Sequence, residues 1–247
     1  IKGADNAEYG GRLSAVLNVI SREGNKNEFK GKVNLSLLSA QTTLEGPFYK
    51  GAWVLSGRRT YFDLVLPKVL PDNINENIPP YYFYDIQSHV FSDITSKDRI
   101  SLSYYSGIDD LLFDTFGLDG QWGNNTVSGH YRRVFSERLV GNILIANSRF
   151  FTEFGLGGDN GLVSYNEIDD KTLSADFSWF KSSSSTIKFG TQLKKLGFEY
   201  TNKFQDSTQF QIKTDPLEFA QYIKLKYKPN DLFIIEPGLR LNLYNVY

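Results

Sequence analysis

The chain has 247 residues and a formal net charge of −1, which argues against a nucleic-acid surface, since that needs a surplus of Lys and Arg. It contains no cysteine, so a disulfide framework and a thiolate metal site are both excluded. No run approaches the ~20 consecutive apolar residues of a membrane-spanning helix, yet 15 Tyr and 19 Phe stand against 3 Trp, a heavy load of rings for a mean hydropathy of −0.34. The length leaves room for one large β domain or two ordinary ones. With no Met and no charged n-region before an apolar core, the sequence reads as a piece of a longer polypeptide.

The first distinctive stretch is "EYGGRLSAVLNVISREGN", residues 8 to 25. It packs two adjacent glycines, an arginine, a short β-branched run and a charged glycine turn together, as the end of a domain would. From residue 28 onward, period-two alternation replaces helical spacing. "FKGKVNLSLLSA" and "AQTTLEGPF" predict a hairpin turning near Ser39–Gln41. In "AWVLSGRRTYF", adjacent Arg58 and Arg59 must face opposite sides unless a bulge intervenes. Ile100, Leu102 and Tyr104 oppose Ser101 and Ser103. "LVGNILIANSRF" carries apolar residues in both registers, so its parity stays open. Leu173, Ala175, Phe177 and Trp179 oppose Ser174, Asp176 and Ser178, and Ile187, Phe189 and Leu193 oppose Lys188, Gln192 and Lys194. Phe219, Ile223, Leu225 and Tyr227 oppose Glu218, Ala220, Lys224 and Lys226, and Leu239, Leu241 and Leu243 oppose Gly238, Arg240 and Asn242.

Short polar turns are expected at Tyr49–Gly51, Ser96–Arg99, Ser136–Arg138, Ser182–Ser185 and Lys228–Asp231. Longer irregular segments are expected at 65–80, 108–121, 153–171 and 200–216, rich in Asp, Asn and Gly. Strict alternation of short turns and long loops predicts about eleven strands running up and down through a slab. Several strands are long enough to cross a bilayer at a tilt of about 45°, whereas a soluble sandwich uses strands of about 5–6 residues. Aromatic pairs near strand ends suit a headgroup girdle. The charges at Lys188, Lys194, Glu218, Lys224, Lys226, Glu236 and Arg240 lie opposite the apolar stripe and predict a wide wet or plugged lumen.

No catalytic constellation emerges. His89 shares its face with Asp85 and Gln87, which suits a hydrogen-bonding role in the lumen. Two histidines and no cysteine make a zinc site improbable, and no cofactor is expected. "GLGGDNG" at 155–161 lacks the strand-to-helix context of a phosphate loop. The carboxylates and amides of 159–170 match no defined calcium spacing and read as a solvated loop. Arg58 and Arg59 are candidates for the lumen or for a plug carboxylate, and Tyr81, Tyr82 and Phe83 for ligand contact from a loop.

"YGGRLSAVLNVISREGN" resembles the end of the plug domain in TonB-dependent outer-membrane receptors, through Tyr9, Gly10, Gly11 and Arg12 and then Ser14, Ala15, Val16, Leu17, Asn18, Val19, Ile20, Ser21 and Arg22. "TLEGPF" at 43–48, "LSGRRTYFDLVL" at 55–66, the hairpin of 81–109 and "PGLRLNLY" at 237–244 resemble barrel strands of the same family. The resemblance implies an all-β fold, an antiparallel transmembrane barrel segment of a 22-stranded plugged barrel. Residues 1–26 would end the plug and 27–247 would form the N-terminal half of the barrel. It also implies a Gram-negative outer-membrane transporter, not an enzyme, surrounded by lipid and contacting TonB through an N-terminal part outside this sequence. An external small molecule or glycan would be the ligand, with room for a surface lipoprotein partner. Lumen or plug contacts would come from Arg58, Arg59, His89, Lys188, Lys194, Glu218, Lys224, Glu236 and Arg240. Two alternatives stay open on the residues alone: a passive outer-membrane channel, and a secreted soluble β-protein that binds glycans.

Overall fold

Thirteen strands form one antiparallel sheet in the computed structural model, which describes residues 7–10, 20–69, 71, 81–113, 117–158 and 161–245. They are β1 (Lys30–Leu35), β2 (Ser39–Phe48), β3 (Gly51–Thr60), β4 (Tyr81–Asp93), β5 (Asp98–Phe113), β6 (Leu118–Ser136), β7 (Leu139–Leu156), β8 (Leu162–Ser182), β9 (Ser185–Phe204), β10 (Ser207–Thr214), β11 (Leu217–Asn230), β12 (Phe233–Ile235) and β13 (Gly238–Asn245), with one helix, α1 (Phe62–Val69), between β3 and β4. Consecutive strands are neighbours up to β9. There Pro216 and Pro237, which have no N–H for the ladder, divide the last two lanes. β10 and β11 both pair with β9, and β12 and β13 both pair with β11, so thirteen strands fill eleven lanes. Pro216 and Pro237 still accept from Leu196 and Leu225, which carries the ladder across each break.

The two faces differ in what they meet. Along β7, the residues at 142, 144, 146, 148 and 150 are half-buried, while 143, 145, 147 and 149 are exposed; the first set lines a concave face and the second a convex one. Register carries this parity from lane to lane, because paired residues of adjacent strands share a face; it shifts only near hairpin ends, between Val134 and Ser136, Phe180 and Ser182, Thr208 and Phe210, and Tyr227 and Asn230 among the described residues. The convex row Leu102, Gly129, Ile145, Leu173, Leu193, Phe219 and Leu243 is continuous from β5 to β13. Its apolar side chains are open to the surroundings, Leu102 at 50% and Ile145 at 63%. Among the described residues the only buried hydrophobic side chains are Ala52, Val54, Phe91, Ala220 and Tyr222. The chain exposes 16449 Å² at 28.1 kDa, against about 11,000 Å² for a compact soluble monomer of that mass. No second sheet covers the apolar face among the described residues, which removes the sandwich alternative and leaves a barrel wall whose core would be lipid outside and water or plug inside. The wall is open: among the described residues the outer edges of β1 and of β12 and β13 carry no partner strand.

The short turns fall where the sequence places them, at one rim, here the near rim. The first hairpin turns at Ser36–Leu38, just before the expected site. The long loops differ from expectation. Only the first connection is long, and it starts with α1. At 108–121, 153–171 and 200–216 the strands continue almost to the far rim and leave short connections. β6, β7, β8 and β9 therefore run 19, 18, 21 and 20 residues, about 60–70 Å at ~3.3 Å per residue. Even tilted, they stand well beyond a hydrocarbon layer of about 30 Å. The misreading has a physical cause. Beyond the apolar band the convex side carries polar residues, so the expected greasy stripe stops while the hydrogen-bonded ladder goes on.

Candidate functional site

The near half of the concave wall grips the N-terminal segment by charge. Glu8 accepts from Lys188 at 3.1 Å with both carboxylate oxygens, and it lies 3.5 Å from Lys224. Arg240 donates to the backbone carbonyls of Ala7 and Glu8 at 3.4 and 3.5 Å, and to Gln192 at 3.1 Å. These cations come from β9, β11 and β13, brought together by the pairings Lys188↔Lys224 and Lys224↔Gly238. Lys224 is only 6% exposed; a buried ammonium must be paired, and Glu8 and Glu236 flank it, each at 3.5 Å. Tyr222 donates to Asp176 at 2.6 Å beneath the same segment. Burial, with the Glu8 carboxylate beside it, raises the Tyr9 phenol above its ordinary pKa.

A second grip holds residues 20–28 over β2 to β5. Arg22 meets Glu45 at 2.5 Å, Glu23 meets Arg99 at 2.7 Å, and Lys26 meets Asp93 at 3.2 Å. Phe91, 2% exposed, lies between two cations: Arg99 is 4.5 Å and Lys26 4.8 Å from its ring centroid. Arg99 also forks onto Asp93 at 2.6 and 3.1 Å. Gly24 makes this fit feasible. Its φ of +84° favours glycine, and a β-carbon there would stand 2.6 Å from the Trp53 carbonyl oxygen.

Toward the far rim the polarity of the wall inverts. On the convex side the apolar stripe gives way to Arg149 on β7, Glu167, Asp169 and Lys171 on β8, and Lys195 and Glu199 on β9. Arg149 donates to Glu167 at 2.6 Å, and the guanidinium holds that carboxyl below the usual range. On the concave side rings appear instead. Trp122 and Phe154 stack with centroids 6.1 Å apart, over Gly120, where a β-carbon would be 2.9 Å from Phe154. Tyr81 and Phe83 form a pair on β4, and Tyr200 meets Phe210 edge-on at 6.1 Å. Tyr81 donates to Asp109 at 2.8 Å, and the Arg58 guanidinium lies 4.7 Å from the Phe83 centroid.

The candidate residues divide accordingly. Tyr9 and Gly10 lie at the first grip; Gly11, Arg12 and Asn18 are outside the described residues. Lys188, Lys224, Glu236 and Arg240 belong to the first grip, with Glu218 3.9 Å from Arg240. Lys194 pairs with Asp170 at 2.9 Å, midway up the wall. His89 meets the Ser103 hydroxyl at 2.8 Å through Nδ1. Arg58 is concave, paired with Asp85 at 2.6 Å. Arg59 is not part of this wall: with no bulge in β3 it faces the convex side, where it binds Asp63 of α1 at 3.0 Å and covers the Tyr82 ring. Tyr81, Tyr82 and Phe83 are in β4, not in a loop, and Tyr82 faces outward. The aromatic pairs read as a lipid girdle are split: Tyr104 and Phe151 are convex, whereas Tyr105, Phe150, Phe198 and Tyr200 are concave. Residues 166–170, read as loop, are in β8. Glu8, Arg99 and Trp122 went unnoticed in the sequence. The signal that would have found Trp122 is the change of phase beyond Lys171 and Lys195, where charge takes the odd positions that leucine held below.

No protein-family model matches the chain, and no curated protein matches it in sequence. Among solved structures, the copper transporter OprC is similar at a TM-score of 0.75 and 11% identity, over 99% of this chain and 41% of that one. P. aeruginosa FpvA, solved with bound pyoverdine and iron, is similar at a TM-score of 0.77 and 15% identity, over 100% of this chain and 41% of that one. The antiparallel barrel-wall fold that the resemblance to TonB-dependent receptors implied is the fold observed, as an open sheet. The chain spans about two fifths of the length of each of these structures.

Proposed function

We propose that the chain forms part of an outer-membrane active transporter in a Gram-negative cell, with residues 1–26 ending its plug and 27–247 forming the first half of its barrel. An external solute would bind at the far rim, facing outward, and energy delivered through TonB to the plug would release it inward. The observation that carries this reading is the pairing of opposites on one sheet. A convex face of bare leucine, isoleucine and phenylalanine has its complement in hydrocarbon, while the concave face holds an N-terminal segment by ion pairs, as a wall holds a plug. Barrels of OprC and FpvA supply the fold in which such a wall closes.

In planar bilayers the complete protein is expected to pass no steady current, because the plug fills the lumen. Steady conductance of the unmodified protein refutes the reading in favour of a passive channel. In cells, accumulation of the solute is expected to stop when the proton-motive force is collapsed; accumulation that persists refutes the coupling to TonB.

A further inference from the structure

We infer that the far half of the concave wall binds a neutral, hydroxyl-rich ring compound, of the chemical class of an oligosaccharide; this rests on the transporter reading and names the class of its ligand. Three ring pairs stand on this half of the wall: Tyr81 with Phe83, Trp122 with Phe154, and Tyr200 with Phe210. They lie beyond the level of both N-terminal grips, so the described plug residues do not cover them. They also lie beyond the apolar band on the convex side, so the wall here separates two aqueous spaces. Rings in such a place have no lipid to meet, and an aromatic face left in water is the costly arrangement. Flat rings offer their faces to the C–H face of a sugar ring, whose hydroxyls then need partners at the edges.

Polar partners of the right kind lie beside the pair of Tyr200 and Phe210. Asn166 pairs in register with Tyr200, Asn202 with Phe210, and Thr214 with Phe198. Each holds a side-chain oxygen with no hydrogen-bond partner, which a small side-chain rotation would offer to a ligand hydroxyl. Charge selects against an anionic ligand. The Arg58 guanidinium, on this half of the wall, is already committed to Asp85 at 2.6 Å, while Asp109 adds a carboxylate that accepts from the Tyr81 hydroxyl at 2.8 Å. A ferric chelate bearing carboxylates would meet no free cation among these described residues, and a neutral saccharide needs none.

Trp122 makes the inference measurable. Trp53 and Trp179 face the convex side, so Trp122 is the concave tryptophan of this chain. The complete protein in lipid nanodiscs is titrated with maltohexaose, cellohexaose and xylohexaose, and separately with ferric citrate, following tryptophan emission. At least one saccharide is expected to change the emission saturably. Trp122→Phe should abolish the change, Trp179→Phe should leave it, and Phe154→Ala should weaken the affinity about tenfold. Circular dichroism identical to the parent establishes that each variant is folded. Silence with all three saccharides, or a Trp122-dependent response to ferric citrate in their place, overturns the inference. Brominated acyl chains in the same nanodiscs separate this failure from that of the transporter reading. Quenching of Trp53 and Trp179 with silent saccharides removes the ligand class alone, and absence of that quenching removes the membrane wall itself.

Discussion

Two neighbouring residues of β7 test the assignment of the faces. Ile143 is convex and 39% exposed; Asn142, one residue before it, is concave and lies in register between Arg132 and Asp176. From Leu139 to Arg149 the strand climbs about 23 Å, at ~3.3 Å per residue and a tilt of about 45°. Ile143 then lies roughly 9 Å from one edge of the apolar band and 14 Å from the other, too deep for an arginine to reach water easily. Ile143→Arg is expected to destabilise the complete protein by about 2–4 kcal/mol, the cost of a guanidinium near the bilayer midplane, or roughly 30- to 700-fold in the folding constant. Asn142→Arg places the same group beside Asp176 in an aqueous or plugged interior and is expected to cost less than about 1 kcal/mol. Reversible urea unfolding of both variants in phospholipid vesicles, followed by tryptophan emission, measures the difference. Equal costs, or a larger cost for Asn142→Arg, would mean that the faces are assigned the wrong way round.

Glu8→Gln leaves Lys188 and Lys224 without their shared carboxylate, and the cost to docking of the N-terminal segment is expected to be on the order of 2 kcal/mol, since Lys224 is buried while Lys188 keeps access to water. Amide hydrogen exchange at Ala7–Gly10 should then speed up by about 30-fold, and unchanged exchange would dismiss the grip. Gly24→Ala forces a β-carbon toward the Trp53 carbonyl at an unfavourable φ, with an expected cost of about 1–3 kcal/mol, read as faster exchange over residues 20–28 without loss of the barrel's circular dichroism. Beyond the apolar band, the lowered pKa of Glu167 means that its bond to Arg149 stabilises the folded state above the ordinary glutamate pKa and that this contribution is lost as pH falls through the lowered value. Glu167→Gln should therefore flatten the stability profile on the acid side of about pH 4.3 and leave the neutral and alkaline parts parallel; an unchanged acid limb would show that the pair contributes nothing.

Much of the wall was legible because lipid and water impose opposite demands on alternate residues. Leu173, Phe177, Phe189 and Ile223 against Ser174, Asp176, Lys188 and Lys224 give both the strands and their faces. The eleven lanes follow from counting those stripes, and the proline breaks at 216 and 237 do not disturb the count. Legibility fails where the surroundings of the convex face change. Glu167, Asp169 and Lys171 continue β8 in the same register, yet their composition is that of a loop, because charge is what a strand beyond the apolar band presents to water. The split of adjacent rings was hidden for a related reason. Phe150 and Phe151 differ by one position, and only the ladder says which of them turns inward. Glu8 was invisible on other grounds: its partners come from lanes some 180 and more residues away, and no local pattern announces a contact that the closing of a wall creates.

The two halves of the concave wall meet different physical requirements, and this explains why they are built from different residues. A segment that must be held and then moved is suited to ion pairs, because each is worth little once water reaches it and can be exchanged for hydration at small net cost. The water-accessible members of the two grips have this character: Arg22, Lys26 and Lys188 keep side-chain exposures of 66%, 45% and 37%, whereas Lys224, at 7%, is the buried anchor of the first. A surface that must capture a dilute neutral solute gains little from charge, since charge attracts counter-ions and water as readily as ligand. It gains from rigid rings that lose little entropy on contact. On the proposed transporter reading, rings at the far rim and ion pairs at the near rim would put capture where solute arrives and release where the plug is held. A wall with those positions exchanged, ion pairs outermost and rings beneath the plug, would bury its binding surface and expose its grip to salt.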